Sequence, residues 1–236
     1  MKSSLDRWTD VRESATLVTP NVGRYLVVAP HPDDEVLTVG GLLARLVRAG
    51  SDVEVLAVTD GGNAYPKDYE HDALARVRRA EQTDALGRLG IRPDRVTWLG
   101  IRDGSVADHE IELSERISCE SDPGTTIVAP WVHDVHPDHE AVGRAAARAA
   151  RLVGCSLWSS LFWAWHHAEP RDLGGVDLVR VGVDGRSRHA KQAALACHAS
   201  QLEPPVGAPI LDDWTLEPSQ WDSEYFIVNR PEVPGR

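Results

Sequence analysis

Two segments of the chain concentrate side chains able to do chemistry. They are Pro30-His31-Pro32-Asp33-Asp34-Glu35 and, about a hundred residues on, Pro130 followed by His136-Pro137-Asp138-His139-Glu140. Each follows a short apolar run, Val28-Ala29 in the first case and Val128-Ala129 in the second. The donors they offer are imidazole and carboxylate, with no thiol nearby. Two histidines and one carboxylate, with a coordination position left open, suit a catalytic Zn²⁺. Such a site lowers the pKa of a bound water to about 7. A further carboxylate within hydrogen-bond reach can take that water's proton. Asp33 and Asp34 are adjacent and cannot point the same way, which suits a division between base and ligand.

Two other readings use the same residues. Asp33 and Asp138 could be helix N-caps and His-Pro a turn element. Repetition of the pattern at two strand ends makes that the lesser reading. The same donor set also forms the 2-His-1-carboxylate triad of an Fe(II) oxygenase. A spare adjacent carboxylate fits hydrolysis better.

Positioning the two segments requires strands that end together. Strand-like runs occur at Tyr25–Ala29, Val53–Thr59, Val96–Leu99 and Thr126–Ala129. Between them lie helical patterns: Val36, Val39, Leu43 and Leu46 before Gly50; Leu74, Val77, Leu86 and Leu89 before Gly90; Val142, Ala145, Ala149 and Leu152 before Gly154. Alternating strands and helices imply right-handed βαβ units and a mostly parallel sheet. The near-continuous apolar runs suit strands covered on both faces. The expected fold is therefore α/β, a single-domain Rossmann-like three-layer sandwich. In such a sheet ligands bind beyond the carboxyl ends of the strands, which puts both His/Asp segments on one edge.

Beyond residue 155 the pattern is less regular. Leu157–Trp165 is apolar and aromatic, Leu178–Val183 alternates as a strand does, Ser187–Ala199 reads as a helix and Tyr225–Val228 as a last strand. Five of the eight tryptophans lie in this part and are expected to pack rather than bind. Residues 1–20 read as a loosely attached extension, with the catalytic domain spanning 21–236.

Composition narrows the partners. The 236 residues carry 25 Lys and Arg against 36 Asp and Glu, a formal charge of −11. That balance excludes a general phosphate-backbone grip on nucleic acid and a polybasic membrane anchor. The N-terminal residues show no signal-peptide core, and no apolar run is long enough to span a bilayer. Cys119, Cys155 and Cys197 are odd in number and widely spaced, which excludes a disulfide framework and reads as small buried hydrophobes. A cytoplasmic protein acting on a small molecule is expected. Oligomeric state is not legible.

With these residues in place, the chain resembles the PIG-L/LmbE-like family of zinc-dependent N-deacetylases. The resemblance rests on Pro30–Glu35, Thr59-Asp60-Gly61-Gly62, Arg78-x-x-Glu81 in a helix ending at Leu89-Gly90, Asp134-Val135-His136-Pro137-Asp138-His139, and His198-Ala199-Ser200-Gln201. It implies that His31, Asp34 and His139 bind zinc, with Fe²⁺ or another divalent metal tolerated. It implies Asp33 as general base, and His136, oriented and kept cationic by Asp138, as stabiliser of the oxyanion. The implied reaction removes an acetyl group from the amine of an N-acetylglucosamine-type sugar or its conjugate. Arg78 and Asp103 would contact substrate.

The plainer alternatives are an Arg78–Glu81 pair on a solvated helix face and a turn-forming Asp103-Gly104. Asp60 reads as a turn residue, and His198 and Gln201 as capping or packing groups at least as well as site residues. The stretch 62–69 reads as a loop at the mouth of the site, where selectivity would reside. From a different class, a non-catalytic sugar- or nucleotide-binding module could use the same sheet edge. The lack of a GxGxxG after the first strand counts against dinucleotide binding.

Overall fold

The computed structural model describes residues 4–65, 70–204 and 207–229. Its strands are β1 (Thr16–Leu17), β2 (Arg24–Ala29), β3 (Asp52–Thr59), β4 (Val96–Ile101), β5 (Thr125–Pro130), β6 (Ser156–Ser160), β7 (Leu178–Gly182) and β8 (Ser223–Asn229). Its helices are α1 (Thr9–Ser14), α2 (Asp34–Arg48), α3 (His71–Arg88), α4 (Glu110–Cys119), α5 (Pro137–Val153), α6 (Trp163–His167), α7 (Gly185–Leu195), α8 (Ala199–Leu202) and α9 (Asp213–Leu216). The strands form one sheet in the order β1-β7-β8-β6-β5-β2-β3-β4. All pairings are parallel except those of β8 with β6 and β7. The expected α/β sandwich with a mostly parallel sheet is the observed fold.

The sheet is covered on both faces, as the apolar runs require. Alternate residues of one strand go to opposite cores. Tyr25 and Val27 pack with Val36, Leu43, Leu46 and Leu86 under α2 and α3. Leu26 and Val28 pack with Leu113, Ile117, Val142 and Ala145 under α4 and α5. Strand order reverses between β2 and β5, which are direct neighbours with Leu26 paired to Ile127. That reversal leaves a crevice at their carboxyl ends, beside both His/Asp segments.

Three expectations about the flanks change. The first is the N-terminal segment, which is docked rather than loose. Trp8 is fully buried and its indole N–H donates to the Trp165 carbonyl at 2.7 Å. The Arg7 guanidinium donates to the carbonyls of Trp165, His166 and Ala168. β1 extends the sheet alongside β7. Residues from Leu5 onward therefore belong to the same folded body. Their apolar content is too short to announce itself as a core element. A Trp8→Ala substitution is expected to cost about 3–5 kcal/mol in a urea unfolding series; a loss below 1 kcal/mol would show the segment to be dispensable.

The second is the helix expected over Ser187–Ala199. It ends at Leu195, and the chain turns at His198 into the short α8. The third is Cys119, which is exposed, whereas Cys155 is buried. Among the described residues no helix is long and apolar enough to cross a membrane.

Candidate active site

The His/Asp site residues follow the carboxyl ends of β2, β4 and β5, while Arg78 comes from α3 and Gln201 from α8. After β2 the chain makes a tight turn in which the Asp33 and Asp34 N–H groups donate to the His31 carbonyl, at 3.0 and 3.3 Å. Asp33 closes this turn with φ 153°, a conformation that non-glycine residues rarely adopt. Holding it there costs about 1–3 kcal/mol, which the surrounding contacts must offset. The Asp33 side chain makes no capping bond to α2. Its Oδ2 accepts a short hydrogen bond from the Gln201 amide and lies 3.5 Å from the Arg78 guanidinium. Asp34 opens α2 and turns its Oδ2 to within 3.1 Å of His31 Nδ1 and 3.2 Å of His139 Nε2.

After β5 the loop 131–136 leads into α5, with His136 at the N-cap and Pro137 as the first helical residue. Gly143 permits the close approach of α5 to this loop, because a Cβ there would lie 2.7 Å from the Pro130 carbonyl oxygen. His139 is buried on the first turn. Its Nδ1 lies 2.8 Å from Asp134 Oδ2, and its buried Nε2 faces Asp34 Oδ2 at 3.2 Å.

His31, Asp34 and His139 each offer a donor atom within 4.8 Å of the others, and the Asp34 oxygen faces His31 Nδ1 and His139 Nε2. Two imidazoles and a carboxylate converging this closely fit a divalent cation with an open position. The electrostatics agree. Burial disfavours charge on all three groups, yet the facing carboxylates push His139 up to about 9 and His31 well above its usual range. The facing imidazoles hold Asp34 well below the usual carboxylate range.

A second grouping, His31 with Asp103 and Asp138, uses the opposite nitrogen of the same ring: Nε2 lies 3.3 Å from each carboxylate. A neutral imidazole offering Nδ1 to a metal carries its proton on Nε2, so these carboxylates become that proton's acceptors and orient the ligand.

This arrangement corrects the expected pairing of His136 with Asp138. Asp138 is drawn the other way, accepting N–H bonds from Gly104 at 2.7 Å and Val106 at 3.3 Å as well as facing His31. At the second position of α5 its side chain reaches across to the loop after β4. His136 sits at the N-cap with extended backbone, stacked on Trp163 at 6.0 Å with rings 18° apart. Burial, then the neighbouring histidines, lower the His136 pKa to about 4. Asp138 thus turns to His31 and to the loop after β4, and burial disfavours a charge on His136.

Arg78 is buried rather than paired along a solvated helix. It donates to the carbonyls of Gly61 at 2.8 Å and Pro32 at 3.2 Å. Gly61 has φ 64°, and a Cβ there would lie 2.6 Å from the guanidinium. Glu81 instead accepts from the N–H and hydroxyl of Ser200. That bond anchors α8, and with it Gln201 on Asp33; buried His198 in the same turn is lowered to about 3 by burial and by Arg78. Asp103 faces His31 and accepts from the Asn63 N–H at 3.2 Å. Asp60 does shape its turn, accepting from the Gly62 N–H, and also meets His71 at 3.0 Å. Of the loop 62–69, residues 66–69 lie outside the described residues.

These side chains line a cavity of about 200 Å³. Its polar side is formed by His31, Asp33, Arg78, Asp103 and His136, and its apolar side by Phe162, Trp163, Ile210 and Leu211. The apolar side and the buried carboxylate Asp134 carry no recognisable motif signal of their own. Asp134 stands in a segment quoted for the resemblance, and only its position five residues before His139 hints at a role.

Known proteins resemble this chain in sequence and in fold. A "1D-myo-inositol 2-acetamido-2-deoxy-alpha-D-glucopyranoside deacetylase" of Mycobacterium sp. (strain JLS) is 41% identical, over 79% of this chain and 76% of that protein. A "Probable N-acetyl-alpha-D-glucosaminyl L-malate deacetylase 2" of Bacillus subtilis is 30% identical, over 85% of this chain and 97% of that one. Among solved structures, the N,N'-diacetylchitobiose deacetylase of Pyrococcus horikoshii aligns with a TM-score of 0.65 at 20% identity, over 92% of this chain and 85% of that chain, a likeness of fold. Residues 26–150, which hold both His/Asp segments, match the PIG-L family, described as GlcNAc-PI de-N-acetylase, and the chain belongs to that family.

Proposed function

We propose that this chain is a metal-dependent N-deacetylase that hydrolyses the acetyl amide of an N-acetylglucosamine-type sugar or its conjugate. The observation that carries the reading is the convergence of His31, Asp34 and His139 on one point, with Asp33 on the same cavity wall. The donor set suits Zn²⁺ and admits Fe²⁺. When bound there, a divalent cation polarises the amide carbonyl and lowers the pKa of water to about 7.

The chain's own residues do the rest. Asp33 takes the proton of the attacking water and returns it to the departing amine. Gln201 and Arg78 both engage Oδ2, so Oδ1 is the oxygen left for that transfer. His136 donates an N–H bond to the oxyanion, as a neutral imidazole can; loss of one such donor typically lowers the rate ~10²–10³-fold. Asp103, at the polar rim, accepts a sugar hydroxyl, and Arg78 holds Asp33 beside the acyl carbon. The relatives' names, which specify amino-sugar deacetylases, support this substrate class.

The test joins metal analysis of the purified chain to an acetate-release screen over N-acetylglucosaminides. Stoichiometric divalent metal in the wild type, its loss in His139→Ala, and release of free acetate are expected. A chain that binds no divalent metal, or whose acetate release survives exhaustive chelation, overturns the reading.

A further inference from the structure

Asp134 is fully buried and has no place in the reaction just described. Its carboxylate has two sets of partners. Oδ2 faces His139 Nδ1 at 2.8 Å, on the side of the ring away from Asp34. Oδ1 accepts N–H bonds from Phe162 at 2.9 Å and Ala164 at 3.0 Å, with the Trp163 N–H 3.3 Å from Oδ2. The second set is the start of α6, the turn that carries the aromatic wall of the cavity. One carboxylate therefore touches both a donor of the proposed metal centre and the backbone beneath Phe162 and Trp163. Trp163 in turn stacks on His136.

We propose that Asp134 is a positioning residue that sets the tautomer of His139 and the register of the aromatic wall against the metal centre. This rests on the metal-centred reading above. A carboxylate acceptor at Nδ1 requires the proton there and leaves the Nε2 lone pair for a cation. His31 has the mirror arrangement, with its acceptors Asp103 and Asp138 at Nε2 and Nδ1 toward the centre. With a cation at the centre the two imidazoles would be opposite tautomers, each backed by a carboxylate on its far nitrogen.

Once His139 carries its proton on Nδ1, every group facing Asp134 is a donor and both of its oxygens must accept. In Asp134→Asn the amide nitrogen must face either His139 or the α6 N–H groups. In the first case it pushes the proton of His139 onto Nε2, where it blocks the metal. In the second it opposes two N–H donors and shifts the wall.

The experiment uses the full chain and Zn²⁺ alone, with a competing chelator. Asp134→Asn is expected to weaken zinc binding about 10–100-fold, the usual cost of removing such a partner. At saturating zinc it should also raise KM for the acetylated substrate more than it lowers kcat, since the wall moves. A folded variant with zinc affinity within about twofold of wild type and unchanged KM overturns the proposal. Should the variant not fold, ¹⁵N-histidine spectra of the zinc-loaded wild type decide. One ligand imidazole bound through Nδ1 and the other through Nε2 is expected, and two bound through the same nitrogen overturn it. If wild type binds no zinc, the functional reading itself has failed, which is a different outcome from equal binding by both chains.

Discussion

Asp33→Asn is expected to reduce acetate release ~10²–10⁴-fold, the usual contribution of a positioned general base, while metal stays stoichiometric. Asparagine keeps the shape of the side chain, and its amide oxygen still accepts from Gln201, so the strained turn and Asp34 beside it are preserved. What disappears is the ability to take a proton. The pH profile gives an independent check. Burial, then the charge of Asp34, push the Asp33 carboxyl up to about 6, against the pull of Arg78, His31 and Gln201. A cation held beside Asp34 draws that value down again. The acid limb of kcat/KM should therefore lie at or below about pH 6, with activity full above it and lost as Asp33 gains its proton. The residual activity of Asp33→Asn should lack this limb. Wild-type activity in the variant, or a limb centred well above 6, would remove Asp33 from the role of base.

A large effect on stability is expected far from the chemistry, at Glu224. This buried residue of β8 lies 2.7 Å from the Lys191 ammonium of α7. It also accepts the N–H groups of Gly41 and Leu42 in α2, at 2.7 Å each. One carboxylate thus joins a strand to two helices of the layer over β2. Glu224→Ala leaves a buried ammonium without its counter-charge, at a cost of about 3–5 kcal/mol. Against a total stability of roughly 5–15 kcal/mol this is a large fraction. The double replacement Lys191→Met, Glu224→Leu should recover much of the loss, because no unpaired charge remains. Urea unfolding of the three variants checks both statements. A single variant within 1 kcal/mol of wild type would show that water reaches the ammonium.

The two predictions draw on differently legible parts of the chain. Asp33 is visible in the sequence because its chemistry is local: adjacent carboxylates after a strand, in a segment repeated near residue 136. Glu224 gives no local signal, since its partners lie 33 and about 180 residues away. A similar division separates His31 and His139, whose ligand types and strand-end positions are legible, from Gln201, whose motif is legible but whose contact with Asp33 is not. Gln201 reaches Asp33 only because the chain breaks between α7 and α8.

The α/β class, the central strands and their helices, and the imidazole and carboxylate donors brought to one sheet edge are all legible in the residues. Periodicity and strand-end motifs report such features because they reflect contacts within a few residues. The tertiary structure alone decided which carboxylate serves which imidazole. Asp138 is two residues from His136, yet it turns to His31 and to the loop after β4. Asp134 is five residues from His139 and holds it. Side-chain direction in the first turn of α5, and the strand order that sets β2 beside β5, make those choices. The docked N-terminal segment follows the same rule, since Trp8 finds its place only against Trp165, 157 residues later.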